Sequence, residues 1–290
     1  MNVALHAVDS KIPNVALMKL STWHKQQGHS VKLYEPLFDT PDVLYLSKQF
    51  DYTPDFLHLP DCEIIRGGTG YDLNVKLPCD DTVYPDYDLF GCDYAIGRIT
   101  RGCPRACERC IVSKQDGTRL RQVAELTDFW RGQKVVRLLD DNIAARFGIF
   151  YGTMLELYKA KVRVYIDSLD ARHISKEAVD ILLMLKPVSQ WRFSFDQTSQ
   201  EESIRDVIGW FKAGGFPLRK ITVYVLIGYN TTPEEDYYRV ELLRGLGVSP
   251  FVMPYNRQDP YQKSYARYVN AKAVFRSVSW ADYDAKKARE

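Results

Sequence analysis

Residues 101 to 110 read Arg-Gly-Cys-Pro-Arg-Ala-Cys-Glu-Arg-Cys, which sets Cys103, Cys107 and Cys110 in a C-x3-C-x2-C pattern. No other stretch constrains the chain as strongly. Three thiols this close together pair poorly with one another, and the Gly102–Cys103–Pro104 start forces a turn rather than a helix. Soft thiolates so arranged suit zinc or an iron–sulfur cluster. A closed structural zinc site has four protein ligands, and the nearest histidines on either side, His58 and His173, lie far along the chain. Three ligands favour a four-iron cubane whose remaining iron stays open to a small molecule. A non-catalytic zinc loop is the alternative.

At these residues the chain resembles the radical S-adenosylmethionine superfamily, in which three cysteines hold a 4Fe–4S cluster and the fourth iron takes the amino and carboxylate groups of S-adenosylmethionine. The wider stretch, from Ile99-Thr100-Arg101 through Ile111-Val112 to Leu138-Leu139-Asp140-Asp141-Asn142, resembles an uncharacterised branch of that superfamily. One position departs from the pattern. The residue before the third cysteine, usually aromatic, is Arg109 here, and it would stand beside the adenine. The resemblance implies an electron passed from a reduced cluster to the sulfonium, release of methionine, and a 5′-deoxyadenosyl radical that takes hydrogen from a substrate. It also implies an electron donor such as flavodoxin or ferredoxin.

A chain of 290 residues is comfortable for two domains. Apolar residues at 46% and charged residues at 26% describe an ordinary globular protein. A net charge of +2 is no electrostatic footprint for nucleic acid. The start, Met1 to Pro13, lacks a basic region and a long apolar run, and no stretch has the length to cross a bilayer. A cytoplasmic location is expected, where thiols stay reduced. Cys62, Cys79 and Cys92 are scattered singly and read as part-buried residues.

Taken in order, the chain predicts strands over 3–8, 31–34, 43–46 and 63–65, with a helix over 14–27 stopped by Gly28. This alternation predicts a parallel, Rossmann-like layer over 1–92. The Gly67-Gly68-Thr69-Gly70 turn reads as a tight turn or a phosphate approach. The layer resembles the cobalamin-binding fold that precedes many radical enzymes. The Asp-x-His-x-x-Gly motif of that fold is missing, the loop reading Val8-Asp9-Ser10-Lys11-Ile12-Pro13, so cobalamin is not expected and a role in shaping or recognising substrate is.

Residues 72–92 read as a connecting segment, and 93–258 as a partial (β/α)6 barrel with strands over 94–99, 135–139, 162–166, 191–195, 221–227 and 251–253. Helices are expected over 175–185, from Ser199 with Glu202 closing a capping box, and from Thr232 with Pro233 and Glu235. A C-terminal helical extension fills 259–290. Its interleaved Tyr265, Arg267, Tyr268, Lys272, Phe275, Arg276 and Trp280 suit an amphipathic helix better than a nucleic-acid surface.

In strand–helix barrels, function gathers beyond the C-terminal strand ends. After the second barrel strand, Asp140, Asp141 and Asn142 offer acceptors for the cofactor's ammonium, or simply a helix cap. After the third, Arg172 offers a guanidinium for its carboxylate, or pairs with a neighbouring aspartate. Ser194, Asp196 and Gln197 suit ribose hydroxyls, or are simply polar caps. Gly228 lies in a segment that resembles the one bordering the adenine in the superfamily, or makes a plain turn, and Met253 closes the pocket. No residue is assigned to substrate.

Overall fold

Asn14 stops the extended backbone and accepts the Leu17 amide at 3.2 Å, so the first helix starts there as its capping chemistry dictates. Gly28, in the left-handed region at φ 77°, follows its end. The computed structural model describes residues 1–283. Residues 284–290 of the expected C-terminal extension lie outside the described residues. The chain divides into two units, Met1–Asp141 and Asn142–Glu290.

The first unit opens with β1 (Asn2–Ala7), α1 (Val15–Gln26), β2 (Ser30–Leu33), β3 (Val43–Ser47) and β4 (Glu63–Gly67). These strands form one parallel sheet in the order β2-β1-β3-β4, so the chain reverses its winding between β1 and β3. Apolar alternation sends Val3 and Leu5 against Leu17 and Leu20 of α1, and Ala4, Leu44 and Leu46 against Tyr34 on the other face. No helix joins β3 to β4. A non-helical strap runs between them and places Phe56 on that second face. A third cluster joins Met18 of α1 to Tyr87 and Ile96.

Farther along the unit come β5 (Ala95–Gly97), β6 (Thr100–Arg101), α2 (Val112–Gln115), β7 (Arg121–Gln122) and β8 (Val135–Leu138). β5 pairs parallel with β8, and β6 pairs antiparallel with β7. The expected strand over 94–99 therefore ends early and turns into a short hairpin. That hairpin closes the cysteine loop at its base.

The second unit contains α3 (Phe147–Lys159), β9 (Arg163–Ile166), α4 (Lys176–Met184), β10 (Lys186–Pro187), β11 (Trp191–Ser194) and α5 (Glu201–Ala213). It continues with β12 (Ile221–Ile227), α6 (Pro233–Gly245), β13 (Ser249–Pro254), α7 (Pro260–Asn270) and α8 (Lys272–Ser277). β9 and β10 pair parallel, as do β11, β12 and β13 in that order. The architecture is mixed α/β with parallel sheets. One sheet face buries Trp191, Phe193, Ile221, Val223, Val225, Ile227 and Val252. Helix α7 packs against β13 and buries Tyr265, Tyr268 and Val269. Among the described residues no helix is long and apolar enough to cross a membrane.

Thr232 and Glu235 form the expected capping box, with Pro233 at the first helical position. The Ser199 start does not form. A short turn over Thr198–Gln200 is boxed instead by Gln197 and Gln200, and α5 begins at Glu201. Both are glutamines, whose amides supply donor and acceptor at once.

Candidate functional site

In the first unit the site is built on backbone held by charges. Asp140, just past β8, accepts the Ile99 amide at 3.1 Å and the Thr100 amide and hydroxyl at 2.6 and 2.7 Å. Burial pushes its carboxyl up to about 6, against the Thr100 and Ile99 hydrogen bonds and the Arg98 charge that favour ionisation. Asp141 accepts the Gly102 amide at 2.7 Å and lies 3.6 Å from Arg98. Burial raises its carboxyl as well, despite Arg98. The two carboxylates read as cofactor acceptors thus also anchor the strand end that opens the cysteine loop.

The anchoring continues beyond them. Arg101 grips Asp81 bidentately at 2.6 and 2.8 Å and reaches Asp116 at 3.0 Å. Arg98 lies 3.7 Å from Asp116, and Lys19, buried in α1, donates to the Asp81 carbonyl. Sequence reasoning missed Arg98, Arg101, Asp81 and Asp116. Their one signal was charge density around the cysteines, which reads equally well as surface. Gly102 has φ 88°, and a Cβ there would lie 2.5 Å from the Arg119 carbonyl, so this position takes only glycine.

On this base stand the thiols. The Cys103 amide donates to the Gly117 carbonyl at 3.2 Å, and the Cys110 amide to the Cys107 carbonyl at 2.9 Å. Ala106 between them takes φ 45°, an uncommon conformation for a residue with a Cβ. Cys107 is exposed, as is Arg109, while Cys103 and Cys110 are half-buried. Burial raises the Cys110 thiol, and Cys107 and Cys103 add to the rise while Arg109 opposes it, so the three thiols share one electrostatic neighbourhood. Among the described residues, no three His, Cys, Asp or Glu side chains converge on a single ligand point. The donor set, three soft sulfurs on one glycine-hinged loop, fits a thiolate-held cluster by its chemistry.

In the second unit, Asn142 is buried at the position before the turn Ile143–Ala145, where its side chain makes no capping hydrogen bond. Arg172 closes on Asp170 through two hydrogen bonds of 2.7 and 2.8 Å. Burial would raise the Asp170 carboxyl, but the Arg172 bonds and charge outweigh it and hold it below the usual range. Asp196 accepts the Leu226 amide at 3.0 Å, joining the ends of β11 and β12. The Asp196 and Gln197 amides both donate to Gln200, at 2.6 and 2.9 Å. Ser194 and Met253 lie half-buried at the ends of β11 and β13. Gly228 does allow a close approach, and Gln262 makes it: a Cβ at Gly228 would lie 2.1 Å from the Gln262 amide.

Beneath these ends, Arg239 is fully buried. It pairs with Asp236 at 2.6 Å and donates to the Phe195 and Leu226 carbonyls at 2.8 and 3.0 Å. Asp236 in turn accepts from Gly228 and Thr231. Asp196, Gln197 and Gly228 are therefore brought together around one buried ion pair.

No protein-family model matches this chain, and no curated protein sequence does. Among solved structures it is similar to the cobalamin-dependent S-adenosylmethionine radical enzyme OxsB, determined with aqua-cobalamin and S-adenosylmethionine bound. The TM-score is 0.53 at 13% identity. The chain shares its fold with a radical enzyme. The likeness covers 95% of this chain and 56% of OxsB, so the chain spans just over half that enzyme's length.

The likeness corrects one expectation. Cobalamin was not expected because the loop after β1 lacks the ligand histidine, and the similar structure is that of a cobalamin-dependent enzyme with aqua-cobalamin bound. The absence of that histidine is therefore no argument against the cofactor. At the winding reversal between β1 and β3, where parallel layers bind ligands, Asp9 accepts the Gln49 and Phe50 amides, both at 2.8 Å. Exposed Phe50 and Tyr52 stack at the same edge, 5.2 Å between ring centroids. His6 faces Phe56 at 4.1 Å inside the sheet.

Proposed function

We propose that the chain is a radical S-adenosylmethionine enzyme acting on a substrate still to be identified. The observation that carries this reading is the loop of three clustered thiols, set beyond the end of β5 on a carboxylate-anchored base, in a fold shared with such an enzyme. Cys103, Cys107 and Cys110 would hold a 4Fe–4S cluster. When bound, cluster and S-adenosylmethionine supply one-electron cleavage of a carbon–sulfur bond and hydrogen abstraction, chemistry that belongs to the cofactors.

The chain's own residues bind and orient. Asp140 and Asp141 hold the backbone of residues 99–102 in one place, which limits where the thiols can stand. Asn142, Arg172, Ser194, Asp196, Gln197, Gly228 and Met253 are the proposed cofactor wall, on the strand ends of a partial (β/α)6 barrel over 93–258. Arg109, exposed on the loop, would border the adenine. Cobalamin is a candidate second cofactor at the β1–β3 edge, where Phe50 and Tyr52 would hold it by apolar contact.

Anaerobic reconstitution tests the reading. About four iron and four sulfide per chain are expected, lost in Cys103→Ala, Cys107→Ala and Cys110→Ala and kept in Cys62→Ala, Cys79→Ala and Cys92→Ala. The reduced protein should form 5′-deoxyadenosine from S-adenosylmethionine. Stoichiometric zinc without charge-transfer absorption, or no 5′-deoxyadenosine, rejects it. Hydroxocobalamin co-eluting at about one per chain in gel filtration would support the second cofactor.

A further inference from the structure

Arg239 and Arg192 are both more than nine-tenths buried, and they differ in one respect. Arg239 has Asp236 as counter-ion. Arg192, 8% exposed, has no carboxylate within ion-pair distance among the described residues. It donates to the Gln190 carbonyl at 3.3 Å and the Ser189 hydroxyl at 3.1 Å, and lies over the Tyr165 ring at 4.2 Å. A guanidinium cannot shed its proton to escape burial. A buried charge without a counter-ion is costly to hold, so this cation asks for an anion.

Its neighbour makes the same request. Thr222 stands directly opposite Arg192 in the β11–β12 register. It is 3% exposed, and its hydroxyl has no hydrogen-bond partner. Buried hydroxyls are normally satisfied. The register puts Ser194 and Tyr224 on the same strand face, with Phe251 against Tyr224 at 5.7 Å. This face carries polar groups where the opposite face is wholly apolar, from Trp191 and Phe193 to Val252. Arg192 lies two residues, about 7 Å along the strand, before Ser194 of the proposed cofactor wall.

We propose that Arg192 and Thr222 form an anion site, in which the substrate places a carboxylate or a phosphate group. The site itself stands on a buried guanidinium without a counter-ion and a buried hydroxyl without a hydrogen-bond partner; its assignment to substrate rests on the reaction proposed above. The ligand is a small organic anion whose charged end meets the guanidinium and the threonine hydroxyl, and whose body lies along Tyr224 and Phe251 toward Ser194.

The test uses the full chain with benzoate as the carboxylate probe and phenyl phosphate as the phosphate probe, read by thermal shift and calorimetric titration. One probe should raise the melting temperature of the wild-type protein, and the stronger of the two identifies the anion. Arg192→Met should weaken that probe at least tenfold without lowering the melting temperature of the free protein, because it removes an uncompensated charge. Should Arg192→Met fold poorly, Thr222→Val decides: it should weaken binding several-fold at unchanged stability. No response of the wild type to either probe overturns the site. So does equal binding by Thr222→Val, or a free Arg192→Met protein that is less stable yet binds as before; Arg192 would then be a structural clamp on Tyr165. Formation of 5′-deoxyadenosine by the wild type is scored separately. Its absence removes the reaction, while probe binding that depends on Arg192 keeps the anion site.

Discussion

The cysteine loop of the first unit and the strand ends of the second solve the same problem in opposite ways. Each must hold irregular backbone still beyond a parallel strand. In the first unit buried carboxylates take backbone amides, and arginines bridge carboxylates, at the base of the loop that carries the three thiols. In the second a single buried ion pair gathers the ends of β11 and β12, and Asp196, Gln197 and Gly228 spend hydrogen-bonding capacity on the fold itself. The comparison separates the residues proposed for chemistry, the cysteines, from residues that hold the shape, Asp236 with Arg239.

Breaking the ion pair should have the largest effect. Asp236→Ala leaves Arg239 charged, buried and without its counter-ion, a situation that typically costs about 3–5 kcal/mol. The loss should appear in equilibrium denaturation of the apo protein. Reconstituted iron per folded chain should not change, since the other network anchors the loop that carries the thiols. A variant as stable as the wild type would mean that the carbonyls of Phe195 and Leu226 alone satisfy the guanidinium.

The carboxylate side of the comparison is sharpened by pH. Asp140 rises from the ordinary 3.8 to about 6 in the folded chain. A raised carboxyl means that the folded state binds the proton more tightly than the unfolded one between those values. Its contribution is therefore fully present below about pH 4 and is lost as pH climbs through about 6, on the order of 3 kcal/mol in all. Asp140→Asn cannot titrate. Denaturation of both proteins from pH 4 to 7 should show the wild type losing stability relative to the variant across that window. Parallel curves would place the carboxyl back in its usual range.

Part of this was legible in the chain. The apolar runs at 43–47 and 221–227 show their strands because burial on both faces demands them, and Asn14 and Thr232 show their helix starts because a cap acts over three residues. The three thiols announce themselves by spacing. The anchors did not, since Asp140 meets Thr100 forty positions away and Arg101 meets Asp81 twenty away. A charged residue whose partner is so distant looks like any solvated one. Arg192 is hidden for the same reason: within Trp191–Ser194 it reads as the polar phase of a strand, and only the Tyr165 ring and the missing carboxylate make it conspicuous. The cobalamin expectation failed differently. It took a ligand motif for the whole site.

The smallest effect concerns two helix starts that look alike in sequence. Ser199 and Thr232 are each followed three residues later by glutamate, and both read as capping boxes. At Thr232 the box forms: its hydroxyl accepts the Glu235 amide at 3.3 Å, and Glu235 accepts the Thr232 amide at 2.9 Å. The helix so capped is the one that carries Asp236 and Arg239. At Ser199 the amides are served by the Gln197 and Gln200 pair instead. Thr232→Ala should thus cost about 1 kcal/mol, while Ser199→Ala should stay within about 0.5 kcal/mol of the wild type, as surface changes away from such features do. Denaturation of the two variants side by side measures the difference. Equal losses would mean that Ser199 caps α5 in solution, and the strand-end region would then rest on two serviced helix starts rather than one.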